Sequence, residues 1–300
     1  MHKPFFLICF LLFCSSSLFA DTKLVILGSG TPNPDPQRAG SSYAVLVNGN
    51  AYLVDFGPGV VRRAASLSPE WGGDYPELSI QNLKHAFLTH IHSDHSAGLS
   101  DLILTPWVLG RDETLKIFGP KGTKDMVYYV TKAYELDIQY RINGSQPSNS
   151  EGYKSIVKEI KEGLIFRNED LSVEAIKINH GDLDNSFGFK FTTKDKTIVF
   201  SGDTAESKNL FNKARNADIL VHEVYSQAGW EKKTEDWRVY HKAHHTSAVD
   251  LGFLAEEAGI QKLVLSHILF WGSSPESVIQ EAKQGFTREV VLAEDLMILD

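Results

Sequence analysis

Cysteine is almost absent from this sequence. The chain of 300 residues contains two, Cys9 and Cys14, and both lie within the first twenty residues. A mature chain that begins after Ala20 would therefore have no thiol. Disulfide bonds, thiolate metal ligands and cysteine nucleophiles are excluded for such a chain. Any metal site in it must be built from histidine and carboxylate side chains.

Positive charge is also in short supply. Lys and Arg number 30 against 38 Asp and Glu, which gives a formal net charge of −8. Loss of the first twenty residues removes one base, Lys3, and no acid, so the mature chain carries −9. An acidic protein has no general attraction for nucleic acid or for anionic membranes. We therefore expect a small-molecule partner rather than a nucleic acid.

An apolar run near the N-terminus extends from Phe5 to Phe13. It follows a short polar start and precedes small residues that end at Ala20, which is the layout of a secretory signal peptide. The run is too short for a membrane anchor, because a bilayer-spanning helix needs about 20 apolar residues. We expect cleavage after Ala20, no membrane span in the mature chain, and a periplasmic or secreted location. Lipid attachment at Cys14 is less favoured, because the bulky Phe13 precedes it.

Residues 21–300 show no repeat or linker, so we predict residues 1–20 as a signal peptide and residues 21–300 as a single domain. The turn Asn48-Gly49-Asn50 joins two apolar runs and predicts a hairpin. Strand-like and helix-like segments then alternate, with helices expected at 123–136 and at Ser247–Ala258. This order predicts an α/β fold with two mixed β-sheets packed together and flanked by helices.

The strongest chemical signal is the segment Thr89-His90-Ile91-His92-Ser93-Asp94-His95. It follows an apolar run that is predicted to be a strand. In an extended backbone, His90 and His92 point to the same side and can share one metal ion. Asp94 and His95 lie beyond the turn and can reach a second ion. Imidazole and carboxylate are ligands that zinc favours, and catalytic zinc sites leave one position for water.

Three further candidates lie far from this cluster in the sequence. His180, Asp203 and His267 each follow an apolar run that is predicted to be a strand. If these strand ends meet at one edge of the sheets, their side chains supply the ligands that the cluster lacks. A single histidine of this kind would more often be structural, so the prediction depends on the whole set.

This set of motifs resembles the metallo-β-lactamase superfamily, whose members carry His-x-His-x-Asp-His, a later His, a Gly-Asp-Thr-like turn and a final His. The segments Leu27–Pro32, Val54–Gly57, Val221–Glu223 and His244–Thr246 are similar to the ribonuclease Z and type III arylsulfatase branch. The resemblance implies a metallo-β-lactamase αββα sandwich with two zinc ions per chain, and the branch suggests a homodimer. Mn²⁺ or Fe²⁺ would be accepted by the same ligands.

Carried over by position, the resemblance assigns all seven candidate ligands. The first ion would be held by His90, His92 and His180, and the second by Asp94, His95 and His267. Asp203 would bridge the two ions. Asp55 is expected to organise the ligand loop through hydrogen bonds rather than to bind metal.

The resemblance also implies an acid–base pair, for which we select Glu223 and His244. His244 is preferred to its neighbour His245 because it precedes Thr246 by two residues, as a His-x-Thr pattern requires. Metal-activated hydroxide would attack the ester, and His244 would protonate the leaving oxygen. Asp94, Glu223 and His244 are therefore the predicted catalytic residues. His222 and His241 are interpreted as packing or surface residues.

The resulting hypothesis is an exported dinuclear-zinc hydrolase that cleaves a phosphodiester or an aryl sulfate ester. The aromatic residues Trp107, Phe270 and Trp271 are expected to line its pocket. One alternative is a ribonuclease Z-like endoribonuclease that processes the 3′ end of tRNA. We disfavour it here because the chain is acidic and has no long Gly/Lys-rich insertion between about 121 and 170. Another alternative is a periplasmic zinc-binding protein without catalytic activity.

Overall fold

The computed structural model describes residues 21–146 and 148–300. The predicted signal peptide, its cleavage site and both cysteines lie outside the described residues. Within the described ranges, no helix combines the length and the apolar character needed to cross a bilayer.

The strands, in chain order, are β1 (Lys23–Gly28), β2 (Ser42–Val47), β3 (Asn50–Val54), β4 (His85–Phe87), β5 (Leu115–Gly119), β6 (Ser155–Glu159), β7 (Gly163–Arg167), β8 (Ser172–Lys177), β9 (Phe187–Thr192), β10 (Thr197–Phe200), β11 (Ile219–Tyr225), β12 (Lys262–Leu269), β13 (Glu289–Leu292) and β14 (Ile298–Leu299). Within the described residues they form two seven-stranded sheets, in the orders β14-β1-β2-β3-β4-β5-β6 and β13-β12-β11-β10-β9-β8-β7. Each sheet is mixed, because its antiparallel pairs give way to parallel ones at β3–β4 and at β10–β11.

The helices are α1 (Val60–Ser66), α2 (Ser93–Ser96), α3 (Leu99–Val108), α4 (Thr123–Ala133), α5 (Glu135–Asn143), α6 (Lys208–Ala214), α7 (Gln227–Glu231), α8 (Glu235–His244), α9 (Ala248–Glu257) and α10 (Pro275–Ala282). The segment expected to be one helix at 123–136 is divided into α4 and α5 at Tyr134. The predicted helix at Ser247–Ala258 corresponds to α9, for which Ser247 is the N-cap.

Alternating side chains of the central strands enter cores on the two faces of each sheet. In β1, Leu24 and Ile26 enter the core between the two sheets, whereas Val25 and Leu27 enter a core that also contains residues of α1 and α3. A third core packs α6, α9 and α10 on the outer face of the second sheet. Burial on both faces explains why the central strands are nearly continuous apolar runs. The result is the four-layered α/β sandwich that the sequence predicted.

The fold brings the ends of several strands to one edge. Strands β10, β11 and β12 are mutually parallel, and β8 has the same direction because it is separated from β10 by one antiparallel strand. His180 and Asp203 follow β8 and β10, respectively, and His267 lies near the end of β12. The histidine cluster follows β4 of the other sheet. The expected convergence of strand ends therefore occurs.

A carboxylate near the C-terminus anchors the loop that forms one rim of this edge. Asp295 Oδ1 accepts hydrogen bonds from the backbone nitrogen and hydroxyl of Ser29 at 2.9 and 2.8 Å, and its Oδ2 accepts one from the backbone nitrogen of Ala39 at 2.7 Å. Arg63 Nε lies 3.2 Å from the same carboxylate, whose side chain is 4% exposed. Asp295 thus fixes both ends of the proline-rich loop 31–38.

We predict that Asp295→Asn lowers the free energy of unfolding by about 1–3 kcal/mol, because an amide NH₂ would replace one acceptor and face a backbone donor. Urea unfolding of the metal-loaded protein, followed by circular dichroism, measures the change. The matched control is Asp300→Asn, whose carboxylate is 79% exposed beside Lys23 and should contribute less than about 0.5 kcal/mol. Equal effects of the two substitutions would contradict the anchoring role.

Candidate metal centre

The first group of candidate ligands is formed by His90, His92 and His180. The Nδ1 atom of His92 lies 3.1 Å from His90 Nε2 and 3.2 Å from His180 Nε2. His90 and His180 are buried, whereas His92 is open to the cleft. Burial lowers the pKa of His180 to about 4 and holds that of His90 well below its usual range. Both imidazoles are therefore neutral at physiological pH, which is the form that binds metal.

The second group is formed by Asp94, His95 and His267. His267 Nε2 lies 3.0 Å from Asp94 Oδ2, and His95 Nε2 lies 3.4 Å from the same oxygen. All three side chains are buried. The short helix α2 carries both Asp94 and His95, so the turn that follows His92 directs these two residues to the second group.

Asp203 lies between the two groups. Its Oδ1 is 3.4 Å from His95 Nε2, and its Oδ2 is 3.5 Å from His267 Nε2 and 3.9 Å from His90 Nε2. Burial alone would raise the pKa of Asp203, but His267 and His95 hold it well below its usual range. The carboxylate is therefore ionised, and its two oxygens are available to both groups of candidate ligands.

The donor set fits a divalent metal. Sets of three ligand atoms drawn from these residues lie within 4.8 Å of one another. Among the described residues, His95 Nε2 and Asp203 Oδ1 are buried without a hydrogen-bond partner. Such orphaned atoms are costly unless something else satisfies them. Because these two atoms face each other across the centre, a metal ion is the natural partner, and nitrogen with carboxylate oxygen is a combination that zinc accepts.

Asp55 orients the second group from behind. Its Oδ2 lies 2.8 Å from His95 Nδ1 and also accepts a hydrogen bond from the Thr89 hydroxyl at 2.9 Å. Its Oδ1 accepts one from the Thr89 backbone nitrogen at 2.7 Å. The Nε2 atom of His95 is thereby directed towards Asp94 and Asp203. This is the hydrogen-bonding role that was expected for Asp55.

The partner of Glu223 is His245, so the prediction that His244 pairs with this carboxylate is wrong. His245 Nδ1 lies 3.1 Å from Glu223 Oε2, and the backbone nitrogen of Thr246 donates to Oε1 at 2.8 Å. The physical reason is the end of α8. His244 is its last helical residue, and His245 is already extended (φ −138°, ψ 163°), so the two rings leave the chain in different directions.

His244 has a different position. Its Nδ1 lies 2.7 Å from the carbonyl oxygen of Tyr240, and its ring stacks on the Tyr240 ring with centroids 4.1 Å apart. Its own backbone carbonyl accepts a hydrogen bond from His180 Nδ1 at 2.9 Å. His244 therefore orients a candidate ligand through its backbone rather than through its ring.

An open cleft of about 530 Å³ lies over the centre, and its floor is formed by His92, Asp94, His180, Asp203, His245 and His267. Its walls carry Trp237, Tyr240, His241 and Trp271, and Lys233 lies beside them. Of the aromatic residues expected to line the pocket, Trp271 does so. Phe270 instead lines a neighbouring pocket together with Arg38, and Trp107 is 1% exposed with its Nε1 donating to the Asn149 carbonyl oxygen.

The two histidines to which the sequence assigned no role have different environments in the structure. His222 is a packing residue, as expected, because it is buried and its ring stacks on Phe211. His241, interpreted as a packing or surface residue, lies at the surface and lines the cleft. Sequence analysis missed Trp237 and Tyr240, although the spacing of Trp237, Tyr240, His241 and His244 is that of one helical face.

The chain is similar to several known proteins. A family model described as "Anti-Pycsar protein Apyc1" matches residues 22–235. Ribonuclease Z of Mycobacterium sp. (strain KMS) is 32% identical over 282 residues, which cover 91% of this chain and 94% of that relative. Ribonuclease Z of Mycobacterium avium (strain 104) is 30% identical over 283 residues, which cover 91% and 96%.

Solved structures show the same fold. The metallo-β-lactamase fold protein YhfI from Bacillus subtilis has a TM-score of 0.71 at 20% identity, covering 93% of this chain and 99% of its own. The short form of human tRNase Z has a TM-score of 0.65 at 22% identity, covering 93% and 98%. At these identities the likeness supports the αββα architecture alone.

We predict that Asp55→Asn weakens divalent-metal affinity by about 10- to 100-fold, because the amide cannot accept from Thr89 and orient His95 as the carboxylate does. Competition against a chelating dye of known zinc affinity measures the change. Asp35→Asn, an exposed position in the rim loop, is the matched control and should leave the affinity unchanged. An unchanged affinity in Asp55→Asn would show that the loop holds His95 without this carboxylate.

Proposed function

Because the chain belongs to the metallo-β-lactamase-fold hydrolases, matches the Apyc1 family model over most of its length and has ribonuclease Z among its relatives, we propose that it hydrolyses phosphodiester bonds. That the chain is a metal-dependent hydrolase follows from its family. That its substrate is a phosphodiester is our proposal. The observation that carries it is the position of the Glu223–His245 pair beside a centre built around Asp203, at the floor of an open cleft.

The ribonuclease Z alternative is better supported by the comparisons than the exported small-ester hydrolase that the sequence favoured. Relatives named ribonuclease Z match this chain at 30–32% identity over 91% of its length. The aryl sulfate alternative gains no support from the relatives. Net charge was a weak argument against RNA, because it describes the whole surface rather than the cleft. Export, two zinc ions and a homodimer stay predictions.

The donor set accepts zinc, which when bound would lower the pKa of a water molecule and neutralise charge on the phosphate oxygens. Residues of the chain itself position the candidate ligands. Asp203 is placed to serve both ligand groups at once. Asp55 and the His244 carbonyl hold His95 and His180 in the orientation that each ligand needs.

Protonation of the leaving oxygen is assigned to His245. Its Nδ1 faces Glu223 and its ring borders the cleft, which leaves Nε2 for the substrate. Burial raises the pKa of Glu223 well above its usual range and lowers that of His245 to about 4. The pair therefore favours its neutral form. In that form the Glu223 carboxyl carries a proton that faces His245 Nδ1, and His245 carries one on Nε2. As the alkoxide departs it takes the Nε2 proton while Nδ1 takes the Glu223 proton, so the pair ends as a carboxylate and a neutral imidazole.

The bond specificity is tested with bis(p-nitrophenyl) phosphate, p-nitrophenyl sulfate and a tRNA precursor that carries a 3′ extension, all given to the zinc-loaded protein. We expect turnover of the phosphodiester and none of the sulfate. A single cut at the 3′ end of the tRNA would identify a ribonuclease Z-type endonuclease, whereas cleavage of the small diester alone would identify a small-molecule phosphodiesterase. A metal-loaded protein that cleaves neither phosphodiester substrate would contradict the proposal and favour the non-catalytic zinc-binding alternative.

We predict that His245→Ala lowers kcat for a dinucleoside monophosphate by about 10²- to 10⁴-fold, whereas His244→Ala lowers it by less than roughly 10-fold. The loss in His245→Ala should be smaller with bis(p-nitrophenyl) phosphate, because p-nitrophenolate departs without a proton. Metal content is measured in parallel, since His245 also lies within ligand distance of Asp203 and His267. Loss of metal from His245→Ala would make it a ligand, and a larger effect of His244→Ala would reverse the assignment.

A further inference from the structure

One face of α8 is aromatic and is turned away from every core. Trp237, Tyr240, His241 and His244 lie at positions i, i+3, i+4 and i+7, the spacing of a helix face that normally packs into a protein interior. Within the described structure, however, α8 has no buried residue. Trp237 is 55% exposed and Tyr240 is 43% exposed. Side chains of this size in this pattern are expected to have a partner.

The face borders the cleft. Trp237, Tyr240 and His241 line it, and Trp271, from the turn after β12, lies 4.4 Å from His241 between ring centroids. We call these four residues the aromatic wall. The rings of Trp237 and His241 stack with centroids 5.4 Å apart and 22° between their planes, while Tyr240 meets Trp237 edge-on at 87°. The wall therefore offers flat ring surfaces at fixed angles.

The wall adjoins the reacting groups. His245, which contacts Glu223, directly follows α8, and its ring centroid is 5.8 Å from that of His241. Lys233 Nζ lies 4.7 Å from the Trp271 ring and also borders the cleft. A substrate held at the metal centre would thus have an aromatic surface and one cationic group within reach of its next substituent.

We propose that the aromatic wall stacks the base of the nucleoside that flanks the scissile phosphodiester. This inference rests on the proposed function, because it names the substrate class of the same site. A nucleobase has a planar π-face and polar edges. The face suits the exposed rings of the wall, and the edges suit the polar groups of His241 and Lys233. An aliphatic chain would offer neither feature. Stacking on aromatic side chains tolerates any base, so the wall selects nucleotides without reading their sequence.

The inference is tested with two esters that share one leaving group. These are the p-nitrophenyl ester of thymidine 5′-phosphate and the same ester without the base, assayed on the zinc-loaded protein. We expect Trp237→Ala to raise KM for the nucleoside ester by roughly 5- to 100-fold with little change in kcat. KM for the base-free ester should not change, and Trp237→Phe should retain most of the wild-type KM because it keeps a ring.

Val239→Ala is the matched control. Val239 lies on the same helix and is 66% exposed, but it is not part of the aromatic wall. Its substitution should leave both KM values unchanged, which separates a local effect of the rings from a general disturbance of α8. Thermal unfolding of each variant checks that the helix remains folded.

The outcomes distinguish this inference from the proposed function. If both esters are cleaved with the same KM, or if Trp237→Ala raises both values equally, the stacking role is wrong and phosphodiester hydrolysis stands. If neither ester is cleaved, the proposed function fails, and calorimetric binding of thymidine 5′-monophosphate to wild type and Trp237→Ala still tests the wall. Wild-type and variant proteins that bind this nucleotide equally, or not at all, would overturn the inference.

A short single-stranded RNA, assayed as a further substrate, tests whether the stacked base belongs to an RNA or to a mononucleotide. If Trp237→Ala weakens its cleavage as well as that of the mononucleotide ester, one nucleotide subsite serves both substrates. If only one of them is affected, that substrate is the one whose base reaches the wall. Either result supports stacking. If Trp237→Ala changes the cleavage of neither the RNA nor the mononucleotide ester, the inference is contradicted.

Discussion

The buried carboxylate of Asp203 is the charge around which the rest of the site is arranged. Its two oxygens face His95 and His267 at 3.4 and 3.5 Å, and His90 lies slightly farther away. An isolated carboxylate would be expensive to bury, so its environment must supply positive charge or a metal. The histidines around it lie in or follow strands of both sheets, so the two sheets must pack together before the candidate ligands can meet.

The architecture of the two sheets brings the candidate ligands to one edge. Parallel strands of the second sheet end at one edge, and the cluster after β4 approaches the same edge from the first sheet. Asp55, at the end of β3, adopts a left-handed backbone (φ 59°), as does His267 (φ 47°) in β12. Side chains other than glycine rarely adopt this conformation, and its cost is accepted where a functional geometry requires it. The two positions are an orienting carboxylate and a candidate ligand.

Much of this was accessible from the sequence, because a run of apolar residues followed by polar ligands predicts a strand end wherever it occurs. The histidine cluster, His180, Asp203 and His267 were identified in that way. The choice between His244 and His245 was not accessible, since it depends on the residue at which α8 ends. The strands β6 and β7 were missed because they carry lysine, glutamate and arginine, as strands at sheet edges often do. The face of α8 was missed because an aromatic pattern at helical spacing usually indicates a core.

Helix α8 links three parts of the site that would otherwise be independent. Its last residue, His244, orients His180 through a backbone carbonyl, and the next residue, His245, meets Glu223. Its exposed face supplies Trp237 and Tyr240 to the cleft. A shift of the helix would therefore displace the candidate ligand His180, the proposed proton donor and the proposed substrate surface together. For this reason, single-residue substitutions on the face are more informative than loop exchanges, because only they change the surface while the helix end stays in place.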